Sequence, residues 1–410
     1  MQPWEKELLR EVEELARGNF AARAADVDRV GVISLENLAE LKALKIPSMG
    51  LARDQGGLGV GPEARTRIME AMAYGDGSTA VAMNMHVLNT DALIFAPSFP
   101  YRDIVLDDIA RNGALMCFPG SVPLAELDTR PSGFRFTDAG DNLIANGKSG
   151  FGTMSDAAKY VMAVGRMDGD GGEDERIVLA LPTTDSEGVE VMGNWDAMGL
   201  RATGSHDVRF TSLVIPKEQA LILSPSAYYE ASRKASATVV ESQDSRSGVL
   251  GVLGIWLGLA KAAFDFTVEY SSKRYGFNAV PSGQAGTEGL RSDQGWAQID
   301  IGHMDHWIGT GDSLLYDFIS KLAAPRENPE MFVQELTRTT YHLRRMSEEV
   351  AQVAMRVCGA HAYVKDRALE RIFRDMIGGN VMALKTEQMA QSLGKGALGM
   401  PISFSGPAGS

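Results

Sequence analysis

Three runs of helical periodicity, SGVLGVLGIWLGLAKAAFDFTVEYSSKR, DQGWAQIDIGHMDHWIGTGDSLLYDFISKL and PEMFVQELTRTTYHLRRMSEEVAQVAMRVCG, fill most of the chain between residues 247 and 359. Helices of this length persist because each turn adds to an apolar seam shared with neighbours, so several of them joined by short breaks predict a four-helix bundle. DRALERIFRDM and KTEQMAQSLGKGAL follow as shorter helices. The longest apolar stretch, GVLGVLGIWLGLA from Gly248 to Ala260, falls short of the ~20 residues a membrane helix needs and reads as a buried helix.

The first part of the chain is helical by the same test: WEKELLREVEELA, SLENLAELKAL and EARTRIMEAMAYG place apolar residues at i, i+3, i+4 and i+7. Between them RDQGGLGVGP supplies turn-forming glycines. From about residue 113 the texture changes to short β-branched or alternating runs, GFRFTD, NLIANG, YVMAVGRM, RIVLALP and VRFTSLVIP, separated by turn signals such as DAGDN and DGDGGED. The last of these lacks the late Glu of a calcium loop and reads as a solvated hairpin turn. The expected architecture is α+β: an N-terminal helical domain (1–112), a middle antiparallel β domain (113–222) and a C-terminal helical bundle (223–410).

With 410 residues, 44% hydrophobic and 23% charged, the chain can bury a sizeable core. A net charge of -13 argues against a broad grip on nucleic acid or on an anionic membrane. Cys117 and Cys358 are the only cysteines and have no metal-ligand spacing, so no metal is expected, and a reducing cytoplasm fits. The opening MQPWEKELLREVEELARG has no apolar core of the kind a signal peptide needs.

Several segments together resemble the acyl-CoA dehydrogenase superfamily of flavoproteins. NWDAMGLRATGSHDVRFTSLVIPKE, Asn194 to Glu218, is similar to that family's G-x-R-x-T/S-x-S/T turn and following strand. IANGKSGFGT resembles the strand pair that lies against the flavin, which puts Phe151 at the aromatic beside the isoalloxazine and Thr153 at the hydroxyl near its reactive edge. GLAKAAFDFTVEYSSKRYGFN implies Arg274 at the FAD pyrophosphate across a subunit interface, with Phe277 nearby and Gln294 as a further flavin contact. RVCGAHAY resembles the segment at the adenine-side diphosphate, with Arg356 and Ala360 in place of the usual Gln and second Gly and Gly359 retained. MCFPGSVPLAELD stands where the family binds flavin and thioester, bringing Met116, Phe118 and Ser121 to the cofactor, although only the Cys and a nearby Gly and Ser of the usual pattern survive.

The family removes a proton with a Glu that follows an R-D dipeptide. Aligned on Arg374 and Asp375, that position is Ala383. The alternative position on the first bundle helix falls near Gly248, with Asp244 and Glu241 a turn or two earlier. Losing a positioned base forfeits ~10²–10⁴ in rate, so either another group substitutes or the reaction differs. Glu387, Asp244 and His86, in AVAMNMHVLNT, are the candidates. His86, Arg246 and Met382 are the expected substrate contacts. His303 and His306 are spaced i, i+3 but have no evident third metal ligand.

The resemblance implies, first, an FAD-dependent oxidoreductase that oxidises an acyl-CoA-type thioester at its α and β carbons, with an electron-transfer flavoprotein as partner. A second expectation is a flavin-dependent monooxygenase for C- or N-hydroxylation, since a branch of this fold lacks the Glu and activates oxygen with flavin reduced by a separate reductase. A third is a catalytically silent flavin-binding protein. All three imply a homo-oligomer, a dimer of dimers.

Overall fold

The computed structural model describes residues 1–121, 133–167, 176–228, 230–231, 248–276, 289–323, 329–382 and 385–400. Helix α1 (Pro3–Leu15) continues through a π-helical turn at Ala16–Phe20 into α2 (Ala21–Val30), and α3 (Leu35–Ala43), α4 (Pro62–Gly75), α5 (Gly77–Phe95) and α6 (Pro100–Asn112) complete the N-terminal helices. Ser34 caps α3 by accepting from Asn37 N, and Asp76 caps α5 by accepting from the N–H groups of Ser78 and Thr79. Both are side chains the sequence pattern supplies at the right place.

The β region begins with the short strand β1 (Met116–Cys117), then β2 (Gly133–Ala139), β3 (Asn142–Gly152), β4 (Tyr160–Val161), β5 (Ala163–Met167), β6 (Arg176–Ala180), β7 (Val189–Val191), β8 (His206–Pro216) and β9 (Ala220–Leu223). Seven of them form one sheet in the order β7-β8-β3-β2-β5-β6-β9. The pairing is mostly antiparallel, as expected, but β2 runs parallel to β5 and β1 parallel to β4. The DAGDN turn joins β2 to β3 as a tight hairpin with Gly140 at φ 77°. The DGDGGED segment lies outside the described residues, between the antiparallel partners β5 and β6. Phe134 of β2 and Phe210 of β8 stack with ring centroids 4.0 Å apart in the sheet's own core.

The C-terminal helices are α7 (Gly248–Lys273), α8 (Gly295–Ser320), α9 (Pro329–Cys358), α10 (Ala368–Ile377) and α11 (Thr386–Ala397), with the small pair β10 (Tyr275–Gly276) and β11 (Gly289–Leu290) between α7 and α8. One apolar core runs unbroken from Val12 and Ile68 through Trp256 and Leu315 to Val357 and Met376, so the two helical regions share their interior. Glycines make this possible. A Cβ at Gly254 or Gly258 of α7 would run into the carbonyl oxygen of Thr66 or Glu70 on α4, and one at Gly251 into the Asn84 side chain on α5. The stretch Val249–Lys273 of α7 is long and apolar enough to cross a membrane, but its apolar window is 67% buried inside the structure, as a core helix is.

Candidate active site and cofactor cleft

Strands β3 and β8 lose register twice, between Ala145 and Gly147 and between Ser149 and Gly152. Such irregularities re-aim side chains. At the second, Phe151 is held at φ 58°, a left-handed backbone that a bulky residue rarely adopts, and the residue is 43% exposed. Trp195 meets it edge-on, with centroids 5.9 Å apart at 71°. Two residues on, Thr153 Oγ1 lies 2.9 Å from Ser205 Oγ, which lies 2.8 Å from Thr203 Oγ1, so three hydroxyls form a chain beside the presented ring. Behind them His206 Nδ1 accepts the N–H of Trp195 at 2.9 Å, and its Nε2 faces Asp156 Oδ2 at 3.7 Å. Trp195, Ser205 and His206 lie within the quoted Asn194–Glu218 motif and Asp156 lies in no quoted motif, and only the fold brings them to Phe151 and Thr153.

The turn from Asn194 to Ser205 is fixed from outside. Arg201 Nε donates to the Asp28 carbonyl at 3.0 Å, and its Nη1 to Asp196 and to the Ala197 carbonyl. The motif's arginine therefore braces α2 and does not face the hydroxyl chain. Arg374 closes the same junction, with Nη1 and Nη2 donating to the two Asp28 oxygens at 2.9 and 2.6 Å and Nη1 to the Met198 carbonyl. Ser121 pairs with Gly150 through two backbone hydrogen bonds, placing it next to Phe151, while Met116 pairs with Tyr160 and is buried. Phe118 is partly buried, its ring covering Gly120. Neighbouring Cys117 is buried, and burial pushes its thiol up to about 12, so it is not a nucleophile.

His86 is fully buried. Its Nδ1 accepts the Met116 N–H at 3.0 Å, which leaves Nε2–H to donate to the Pro47 carbonyl at 3.0 Å. Burial, with Lys42 adding to it, lowers its pKa to about 4 against those two hydrogen bonds. A ring with both nitrogens engaged can neither take a proton nor contact a substrate, so the reading of His86 as base and substrate ligand gives way to a brace between α5, the Pro47 turn and β1. Glu387 is exposed in the first turn of α11, and Met382 is partly buried against the common core. Asp244, Arg246, Phe277 and Ala383 lie outside the described residues. His303 and His306 are exposed on α8, and among the described residues no group of three or more metal-ligating side chains occurs.

A concavity of about 290 Å³ opens at the C-terminal end of α7, lined by Tyr270, Lys273, Arg274, His361 and Arg367 among others. Arg274 Nη2 donates to His361 Nε2 at 2.6 Å. Beside it Gly359, at φ 67°, ends α9, and Arg291 Nη1 donates to the Val357 carbonyl of that helix end. Gln294 caps α8 with its backbone. Arg356 is committed elsewhere, holding both oxygens of Asp300 at 2.9 and 2.7 Å. Its expected role at the cofactor is therefore not one this arrangement supports. Tyr270 Oη and Arg291 Nε are buried without a hydrogen-bond partner, the kind of unmet polar group a bound phosphate would serve. The chain thus offers a ring and hydroxyls at one place and convergent cations at another, a donor set that fits a flavin. Lys273, His361 and Arg367 were not assigned by motif; their proximity to Arg274 was not visible in one dimension.

Helices at both ends around a mostly antiparallel sheet, with these two sites, define a flavin-dependent oxidoreductase. Residues 2–98 match the acyl-CoA dehydrogenase N-terminal domain and residues 250–382 the acyl-CoA dehydrogenase C-terminal domain. The chain belongs to the acyl-CoA dehydrogenase family. It is 24% identical to L-evernosamine nitrososynthase of Micromonospora sp., over 88% of this chain and 83% of the relative. It is 22% identical to the short-chain specific acyl-CoA dehydrogenase of Clostridium acetobutylicum, over 90% and 92%. Its fold is similar to that of TdsC from Paenibacillus sp. A11-2 with FMN and indole, with a TM-score of 0.82 at 19% identity over 97% and 99% of the two chains.

Proposed function

We propose that this family member is an oxygen-using flavin monooxygenase, acting on a small molecule and supplied with electrons by a separate flavin reductase. The observation that carries this is the missing base. Ala383 stands where the dehydrogenases have Glu, and His86, the histidine offered in its place, is held neutral with both nitrogens bonded. A bound flavin would supply the electrons that activate oxygen. Phe151 would pack against its ring, and the Thr153–Ser205–Thr203 hydroxyls would donate to its nitrogen edge and pass a proton along the chain. Met116, Phe118, Ser121, Phe277, Gln294 and Gly359 are the further proposed contacts along the cofactor. The likeness to a nitrososynthase by sequence and to TdsC by fold supports the same reading.

The second reading is thioester dehydrogenation, favoured by full-length similarity to the Clostridium enzyme, with Asp244 or Glu387 as base and an electron-transfer flavoprotein as acceptor. A cytoplasmic homotetramer suits either. The deciding experiment mixes reduced protein with oxygen and follows the flavin spectrum, then looks for heavy oxygen from labelled O2 in product. A transient ahead of the oxidised band, with label incorporated, is the expected result. Anaerobic bleaching of the oxidised flavin by an acyl-CoA would overturn it.

A further inference from the structure

The hydroxyl chain beside Phe151 ends on a crowded acceptor. The carbonyl oxygen of Leu200, a residue held at φ 52°, meets three donors: the N–H of Thr203 at 3.2 Å, the indole Nε1–H of Trp195 at 3.2 Å and the hydroxyl of Thr203 at 3.0 Å. A carbonyl oxygen has two lone pairs, and the two N–H donors suffice to fill them. Neither of these turns away. One is backbone, and the indole belongs to a residue whose own N–H is fixed on His206 Nδ1 at 2.9 Å. The hydroxyl is the one donor of the three that rotates. Thr203 and Ser205 are buried, at 1% and 4% exposure, so bulk water does not compete for their protons. Each hydroxyl carries a single proton, so the chain has two directions. With Thr203 turned to Leu200, Ser205 donates to Thr203 and Thr153 to Ser205, and Thr153 shows only lone pairs to its surroundings. With Thr203 turned to Ser205, every bond reverses and Thr153 directs its proton outward.

We propose that Trp195 is a positioning residue that keeps this chain reversible, and that the chain thereby adjusts to the redox state of the flavin. The oxidised ring presents a bare nitrogen at its reactive edge, which calls for a donor; the reduced ring presents an N–H, which calls for an acceptor. Thr153 serves both, because Trp195 holds the Leu200 carbonyl whenever the Thr203 hydroxyl leaves it. Without the indole N–H that carbonyl would claim the hydroxyl, and the chain would be fixed with its protons pointing away from the ring. Trp195 thus acts through Leu200, Thr203 and Ser205, besides its edge contact with Phe151. This rests on the reading of the chain as a flavin enzyme with Thr153 at the nitrogen edge.

The test is the two-electron midpoint potential of the flavin-loaded protein, read by anaerobic reduction against a dye. Trp195→Phe keeps an aromatic ring at this position and removes the Nε1–H. It should favour reduced over oxidised flavin on the order of tenfold, a rise of about 30 mV. Thr203→Val leaves Thr153 as the acceptor for Ser205, points the chain toward the ring, and should lower the potential by a similar amount. In the double variant Trp195→Phe/Thr203→Val the indole has no hydroxyl to release, so the potential should equal that of Thr203→Val. An unchanged potential in Trp195→Phe would overturn the switch while leaving the flavin reading intact. The same rise with and without the Thr203 hydroxyl would overturn it too, and would assign Trp195 to packing on Phe151 alone. A native protein that takes up no flavin would overturn both readings.

Discussion

The backbone N–H of Leu200 donates to Oδ1 of Asp375 at 2.6 Å, fastening the turn ahead of β8 to α10. Burial, together with the charges of Asp76 and Asp28, pushes the Asp375 carboxyl up to about 7, against the Leu200 hydrogen bond and Arg371. Because its folded pKa lies above the unfolded value, the folded protein holds a proton that the unfolded chain releases. That stability is complete below about pH 4 and is lost as pH rises toward about 7. Asp375→Asn keeps the acceptor oxygen without the proton. It should reduce the fall in urea midpoint between about pH 4 and about pH 7, with buried Asp76, also shifted upward, leaving a residual slope. Identical pH profiles for the two proteins would contradict the assignment.

His86 should behave as a brace. His86→Ala leaves the Met116 N–H and the Pro47 carbonyl without their partner and should cost about 2–4 kcal/mol in denaturant unfolding. The native imidazole contributes its stability above about pH 6.5 and loses it as pH falls toward its lowered value of about 4. Turnover by the surviving folded variant should keep the native pH profile. Loss of one limb of that profile would return His86 to the list of bases.

The close approach of α7 to α4 makes a sharp contrast between two glycines. Gly258→Ala must push against the Glu70 carbonyl and should cost roughly 1–3 kcal/mol. At Gly394, on the solvent side of α11, a Cβ meets nothing, so Gly394→Ala should stabilise by about 0.4–1 kcal/mol. Thermal unfolding of the two variants should move in opposite directions.

Arg65 on α4 and Asp91 on α5 form an ion pair at 2.5 Å with both side chains only 6% exposed. Arg65→Met removes one charge of this buried pair, at a cost of about 3–5 kcal/mol. The double variant Arg65→Met/Asp91→Leu should recover at least half of that in equilibrium unfolding. A double variant no better than the single one would show that Asp91 is held chiefly by other partners.

What the sequence disclosed was whatever repeats locally. The long helices were legible because every turn of them restates the same apolar seam, and the β2–β3 hairpin because its turn residues adjoin its strands. Parallel pairing of β2 with β5 was not, since parallel partners are never joined by a turn. Phe151 and Thr153 could be marked by resemblance, whereas the ring of Trp195 and the hydroxyl of Ser205 come from 44 and 52 residues away. His86 on an apolar helix was compatible with base or brace until Pro47 and Met116, 39 and 30 residues distant, were seen at its two nitrogens. Gly251, Gly254 and Gly258 announced a helix but not the backbone pressed against it.

The junction of Asp28 with Arg374 joins positions 346 residues apart. At ribosomal speeds of about 5–20 residues per second, Asp28 leaves the tunnel on the order of 20–70 s before its partner exists. During that interval the Asn194–Ser205 turn has lost one of its two arginine anchors, and the N-terminal helices face solvent with the apolar surface that α7 to α10 later cover. Arg374 is thus a late-made residue that completes a junction begun at Asp28, and until it is synthesised that side of α2 waits open.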